Sequence, residues 1–258
     1  MDLGIKGLRV LITAGAGGIG LKGVEAFLAE GARVHTCDVD TEALAALKKA
    51  HPKVTQSVCD VADRAQVAAL FKDALAALGG LDCLVNNAGI AGPTGPVHEI
   101  NPEDWDRCLD VTLTSQFNCT RLAVEHLKQS QNASIINLSS AAGKFGFPNR
   151  SPYAAAKWGV IGFTKTLAME LGQFGIRCNA VLPGPVDGDR IRRVFAAKAQ
   201  VAGTSMQAIQ DATLANASIK RLVPPTQLAD MMVYLASPRA STLSGQAISV
   251  DSDVQGLV

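Results

Sequence analysis

Short β-rich runs alternate with helix-patterned stretches along the whole chain, and this alternation limits the fold more than any other feature. Residues 8–13, 32–38, 54–58, 81–85, 135–138, 176–182 and 246–250 read as strands. Between them, helical spacing runs from the glycine-rich loop through Glu30, then over residues 41–50, 62–78, 102 to about 129, 151 to about 174, and 224–236. Strands that alternate with helices pair in parallel through right-handed crossovers, so helices must cover both faces of one sheet.

The expected architecture is therefore α/β: a single doubly wound, Rossmann-like domain over residues 1–258, with a parallel sheet of about seven strands. Residues 186–221 are polar and helix-prone, too long for a structureless connection, and read as a substrate lid. In such sheets ligands bind beyond the carboxyl ends of the strands. Several chemistry-bearing residues fall at those ends.

The first strand ends in Ala14-Gly15-Ala16-Gly17-Gly18-Ile19-Gly20 and a helix follows. A strand–glycine turn–helix unit lays a pyrophosphate on free helix N–H groups, and glycines permit the close backbone approach. Two registers fit, Gly15-x-Gly17-x-x-Gly20 and Thr13-x-x-x-x-Gly18-x-Gly20. Asp38 closes the second strand, eighteen residues after Gly20, near the spacing of a carboxylate that holds an adenosine ribose. Its competing reading is an N-cap for the helix over residues 41–50. A carboxylate accepts from a free 2′-hydroxyl and repels a 2′-phosphate. The loop lacks Lys and Arg, and Val39 follows Asp38, so NAD is expected over NADP.

The strand at 135–138 leads into Ser139-Ser140 and on to Tyr153 and Lys157, which lie four residues apart on one helical face. A phenol ionises near pKa ~10, and a cation within about 4–6 Å can lower that by roughly 1–3 units. Lys157 is placed to be that cation, so the stretch reads as an acid/base site for an alcohol or a carbonyl. Arg150, three residues before Tyr153, could face the same pocket and fork onto a carboxylate.

The net charge of +1 argues against broad attraction to nucleic acid or to anionic membrane. No run approaches the ~18 apolar residues of a membrane span, and no secretory leader is evident. Six cysteines and four histidines are scattered without ligand spacing, so no metal is expected. Free thiols in a chain this long point to a reducing, cytoplasmic setting.

Taken together, Thr13…Gly18-Ile19-Gly20, Asp60-Val61, Asn86-Asn87-Ala88-Gly89, Ser140, Tyr153-x-x-x-Lys157 and Pro183-Gly184 strongly resemble the short-chain dehydrogenase/reductase family over essentially the whole chain. The resemblance selects the Thr13 register of the loop. It implies an NAD(P)-dependent oxidoreductase in which Tyr153 exchanges the substrate proton, Ser140 orients the reacting oxygen, and Lys157 tunes the phenol and binds the nicotinamide ribose. It also implies that Gly15, Gly17, Gly18, Ile19, Gly20, Asp38, Asp60, Val61, Asn87, Ala88, Gly89, Pro183, Gly184 and Val186 hold the cofactor, and that the chain is a homotetramer or homodimer.

Four departures stand out. Ala14 replaces a usual glycine, and Thr112 replaces the asparagine that supports a proton relay. Gly188 replaces a threonine, and Ser252-Asp253 replaces a glycine pair. Arg150, with Arg190, Arg192 or Arg193 from the lid, suggests a small hydroxy-acid or sugar-acid substrate. The alternatives are an NADPH-dependent ketoreductase of 3-oxoacyl thioesters and a non-catalytic nucleotide sensor or scaffold.

Overall fold

The computed structural model describes residues 2–257. The strands are β1 (Arg9–Thr13), β2 (Arg33–Asp38), β3 (Thr55–Val58), β4 (Cys83–Asn86), β5 (Ser134–Leu138), β6 (Arg177–Pro183) and β7 (Ala247–Val250). They form one seven-stranded sheet in the order β3-β2-β1-β4-β5-β6-β7. Every pairing is parallel. The central strands β4, β5 and β6 are buried throughout, as a sheet covered on both faces requires.

Helices α1 (Gly18–Ala29), α2 (Thr41–Ala50) and α9 (Pro225–Ala236) cover one face, where Val24, Phe27, Leu47, Leu228 and Met232 share a core with alternate strand residues such as Val10, Ile12 and Ile136. Helices α3 (Arg64–Leu78), α5 (Ser115–Leu127) and α6 (Ser151–Leu171) cover the other, where Leu70, Phe71, Leu127 and Leu167 pack on Leu11, Leu84 and Ile135. The alternation Leu11/Ile12 and Ile135/Ile136 follows from the two-residue period of a strand.

The helix expected from residue 102 to about 129 is not continuous. Helix α4 (Pro102–Leu109) passes through a π turn (Asp110–Thr114) into α5. Ser115 Oγ donates back to the Val111 carbonyl and Gln116 Nε2 to the Thr112 carbonyl, so side chains take up carbonyls around the widened turn.

Residues 186–223 leave the sheet and return to it. Helices α7 (Asp189–Ala202) and α8 (Met206–Ala215) form the excursion. Its ends are stapled together, Val223 N–H donating to the Pro185 carbonyl and Asp187 N–H to that of Val223. Helix α7 stands over the carboxyl ends of the strands.

Candidate active site

The strand order reverses beside β1, whose neighbours β2 and β4 send their chains to opposite sides, and this leaves a crevice at the carboxyl edge. A cavity of about 820 Å³ opens there, with walls from the glycine loop, the starts of α1 and α6, the end of β6 and helix α7.

Loop geometry is set by backbone contacts. Asn87 Nδ2 donates to the Thr13 and Ala14 carbonyls, while Thr13 Oγ1 accepts from the N–H groups of Asn87 and Ala88. A Cβ on Gly20 would lie 2.1 Å from the Ala14 carbonyl oxygen. Ala14 itself takes φ +53°, a left-handed conformation that costs an L-residue roughly 1–2 kcal/mol. The turn that favours glycine at this position is thus kept with an alanine in it.

Gly17 precedes α1 without offering a side-chain cap, and the first turn carries no acidic residue. Cβ atoms on Gly17 and Gly18 would meet nothing within 4 Å. An uncapped helix start with its glycines facing an open cavity suits a pyrophosphate, so a dinucleotide fits here.

Asp38 lines the cavity, and its carboxylate accepts from the N–H groups of Ala16, Val39 and Asp40. The cap of α2 is Asp40, which accepts from Ala43 N–H. Asp38 is therefore not spent as the helix cap. Lys22, outside the loop motif, also reaches the cavity, with its ammonium 2.7 Å from Glu25.

At the end of β5 the two serines separate. Both line the cavity, but Ser139 is buried with its hydroxyl tied to the Lys157 carbonyl as donor, whereas the Ser140 hydroxyl accepts from Ala142 N–H. Lys157 is buried and donates to the Leu138 carbonyl at 2.6 Å, with Nζ 5.7 Å from the Tyr153 ring centroid. Burial alone would raise the Tyr153 phenol; Lys157, Arg190, the Ser140 hydroxyl and Arg150 outweigh it and hold the pKa below its ordinary value. Burial pushes Lys157 down to about 8, with Tyr153 opposing and Arg190 adding to the shift.

Of the remaining expected residues, Ile19, Asn87, Gly89, Pro183, Gly184, Val186, Arg190 and Arg193 line the cavity. Gly15, Asp60, Val61, Ala88 and Thr112 are not among the lining residues. Gly15 is pressed against the side chain of Thr36. Asp60 pairs with Arg107 at 2.8 Å, while Val61 and Ala88 are packed in the core. Thr112 is fully buried in the π turn, and its hydroxyl accepts from Ile90 N–H at 3.3 Å.

Arg150 is only 2 % exposed. Its Nη2 donates to the Ala91 carbonyl, while Nε and Nη1 have no partner. Arg190 donates to the Gly89 carbonyl and lies 5.8 Å from the Tyr153 ring centroid. Sequence reasoning missed Lys198, which α7 brings to the same cavity. Its place in a polar, helix-prone segment gave no signal beyond helical spacing from Arg190.

A doubly wound sheet with a glycine-rich crevice and a Ser–Tyr–Lys cluster at one rim defines a dinucleotide-binding oxidoreductase class. The family described as enoyl-(acyl carrier protein) reductase matches residues 14–254. The chain belongs to the short-chain dehydrogenase/reductase family, whose members use a nicotinamide dinucleotide and act on small molecules.

It is 35 % identical over 251 residues to the 3-oxoacyl-[acyl-carrier-protein] reductase FabG of Thermotoga maritima, covering 96 % of this chain and 97 % of that one. It is 41 % identical over 177 residues to the 2-dehydro-3-deoxy-L-rhamnonate dehydrogenase (NAD(+)) of a Sphingomonas species, covering 69 % and 71 %. The crystal structure of a single-residue variant of actinorhodin polyketide ketoreductase with NADPH superposes with a TM-score of 0.88 at 32 % identity, over 94 % of this chain and 95 % of that one.

Proposed function

We propose that this protein interconverts a secondary alcohol and a ketone on a small hydroxy acid or sugar acid, with NAD as the preferred cofactor and Tyr153 as the acid/base. The observation that carries the substrate reading is Arg150, a buried guanidinium with two unpartnered nitrogens on the wall that also bears Tyr153. A buried cation left unpaired costs several kcal/mol, and a substrate carboxylate would offset that cost.

The bound dinucleotide supplies the hydride acceptor or donor. Ser140 donates to the reacting oxygen and fixes its position. Tyr153 takes the hydroxyl proton in oxidation and returns it in reduction, a contribution of about 10²–10⁴-fold for general acid–base assistance. Lys157 favours the phenolate and binds the nicotinamide ribose. Gly17, Gly18, Ile19 and Gly20 hold the pyrophosphate, while Asn87, Gly89, Pro183, Gly184 and Val186 line the nicotinamide end. Asp38 takes the adenosine ribose and supports NAD. Residues 186–221 act as the lid.

A second reading, an NADPH-dependent ketoreductase, draws on Lys22 at the cavity edge and on the ketoreductase relatives. A non-catalytic sensor is disfavoured by a phenol whose pKa is lowered by the cations around it. Assembly as a homotetramer or homodimer agrees with the exposed apolar side chains of α5 and α6, and a cytoplasmic setting with six free, buried cysteines.

The test is a panel of hydroxy acids, sugar acids and neutral alcohols with NAD⁺ and NADP⁺, followed at the reduced nicotinamide absorbance. Acids with NAD⁺ should dominate, and Tyr153→Phe should lower kcat by about 10²–10⁴-fold while NADH still binds. Equal rates on neutral analogues would remove the acid substrate. Preference for NADP⁺ would remove the role of Asp38.

A further inference from the structure

The turn before α6 and the middle of α7 bring two buried cations to one aromatic ring. Pro148 and Asn149 form the centre of a turn closed by Arg150 N–H donating to the Phe147 carbonyl, and Asn149 sits at φ +61°. Proline followed by a left-handed asparagine is the pattern of a type II turn. The turn presents Phe147 and Arg150 to the cavity together, with the guanidinium carbon 5.3 Å from the Phe147 ring centroid. From the lid, Lys198 places its ammonium 4.1 Å from the same centroid and is 9 % exposed. None of the ion pairs within the described residues involves Arg150, Arg190 or Lys198.

We infer that Arg150 and Lys198, gathered around the Phe147 ring, form a carboxylate subsite that is complete only when lid helix α7 is docked. The inference rests on the acid-substrate reading and adds a second cation to it. Two desolvated like charges repel, and each loses hydration, so the pair is stabilised by an anion held between them. Consistent with this, burial, with the Arg150 charge adding to it, lowers Lys198 to about 8. The ring contributes a cation-attracting face that fixes both heads without neutralising either. A carboxylate can accept a charge-assisted bond from Arg150, whose Nε and Nη1 have no partner. Lys198 contributes as a point charge. The subsite makes lid closure depend on the charge of the substrate.

The experiment is isothermal titration of the full-length enzyme–NADH complex with 2-oxobutyrate, its neutral amide and inorganic phosphate. Wild type should bind 2-oxobutyrate at least tenfold more tightly than the amide or phosphate. Lys198→Gln should weaken 2-oxobutyrate at least tenfold, leave the amide and NADH unchanged, and keep its melting temperature. Lys198→Arg should restore binding to within about threefold. Unchanged 2-oxobutyrate binding in Lys198→Gln, with a loss in Arg150→Gln, overturns the subsite and leaves the acid reading standing. Equal or absent binding of acid and amide by the wild type overturns both. Tighter binding of phosphate through the same two residues overturns the carboxylate assignment.

Discussion

The phenol of Tyr153 sits among Lys157, Arg190 and Arg150, and its pKa is the outcome of their charges against its own burial. The proposed alcohol oxidation uses this phenol as its phenolate, so kcat/KM for oxidation should climb with pH to a plateau reached below the ordinary phenol range. Replacing Arg190 with Gln removes one of the cations that lower the pKa, and the climbing limb should move to higher pH. A pH–rate profile of both enzymes checks this, and an unmoved limb removes Arg190 from the tuning of Tyr153. The Tyr153–Lys157 spacing was legible in the chain because two residues four apart share a helix face. The cation set was not, since Arg190 reaches Tyr153 from 37 residues away through the placement of α7.

Departures from the family pattern also find their explanation at single residues. Gly188 stands at φ +149° and ψ 178° before α7, a region open essentially to glycine alone. Restoring the family's threonine with Gly188→Thr should therefore destabilise by about 1–3 kcal/mol and weaken NADH binding rather than improve it. Thermal melts and a fluorescence titration read both. Ser252 and Asp253 occupy φ +60° and +54°, a left-handed backbone that a glycine pair would adopt without strain. The turn is held by Ser252 Oγ donating to the Arg221 carbonyl and by Ser218 Oγ donating to Asp253 at 2.6 Å.

Between elements, the β2–β3 edge carries a polar network that no motif announced. His35 is buried, with one ring nitrogen 2.9 Å from Thr55 Oγ1 and the other 3.1 Å from Ser57 Oγ; Ser57 in turn donates to Asp73 on α3. Burial lowers the His35 pKa to about 4, with Asp73 opposing. The unfolded chain binds this proton below about pH 6.5 and the folded chain only near pH 4. The contribution is therefore full above pH 6.5 and is lost as pH falls towards 4, up to about 3 kcal/mol. Denaturant melts from pH 7 to 4 should show a shallower acid limb in His35→Gln. Equal slopes would remove His35 as a source of acid sensitivity. Sequence spacing marked β2 and β3 as strands, yet only their register, His35 opposite Thr55, makes the network.

Across the whole molecule, the outer faces of α5 and α6 leave Phe117, Trp158 and Met169 at 46 %, 51 % and 85 % exposure. These side chains are the candidates for the subunit contact that the proposed homotetramer or homodimer requires. Met169→Glu should shift the enzyme to smaller species by light scattering, with little change in the far-ultraviolet spectrum. An unaltered mass places the subunit contact elsewhere. Among the described residues, no helix is long and apolar enough to cross a membrane.

Strand–helix alternation, the glycine turn and the Ser–Tyr–Lys spacing are local or periodic features, and the sequence alone determined them because each is written within a few turns of backbone. It also placed Asp38 at a strand end. Tertiary structure decided what depends on distant segments meeting. It turned Asp60 towards Arg107, assigned the α2 cap to Asp40 and so left Asp38 at the cavity, and widened the α4–α5 junction around Thr112. It also carried Lys198 to the cavity, where it meets the Phe147 ring beside Arg150. Such encounters are set by how α7 and α8 fold back on the sheet, and charge, distance and burial acquire values only once that packing exists.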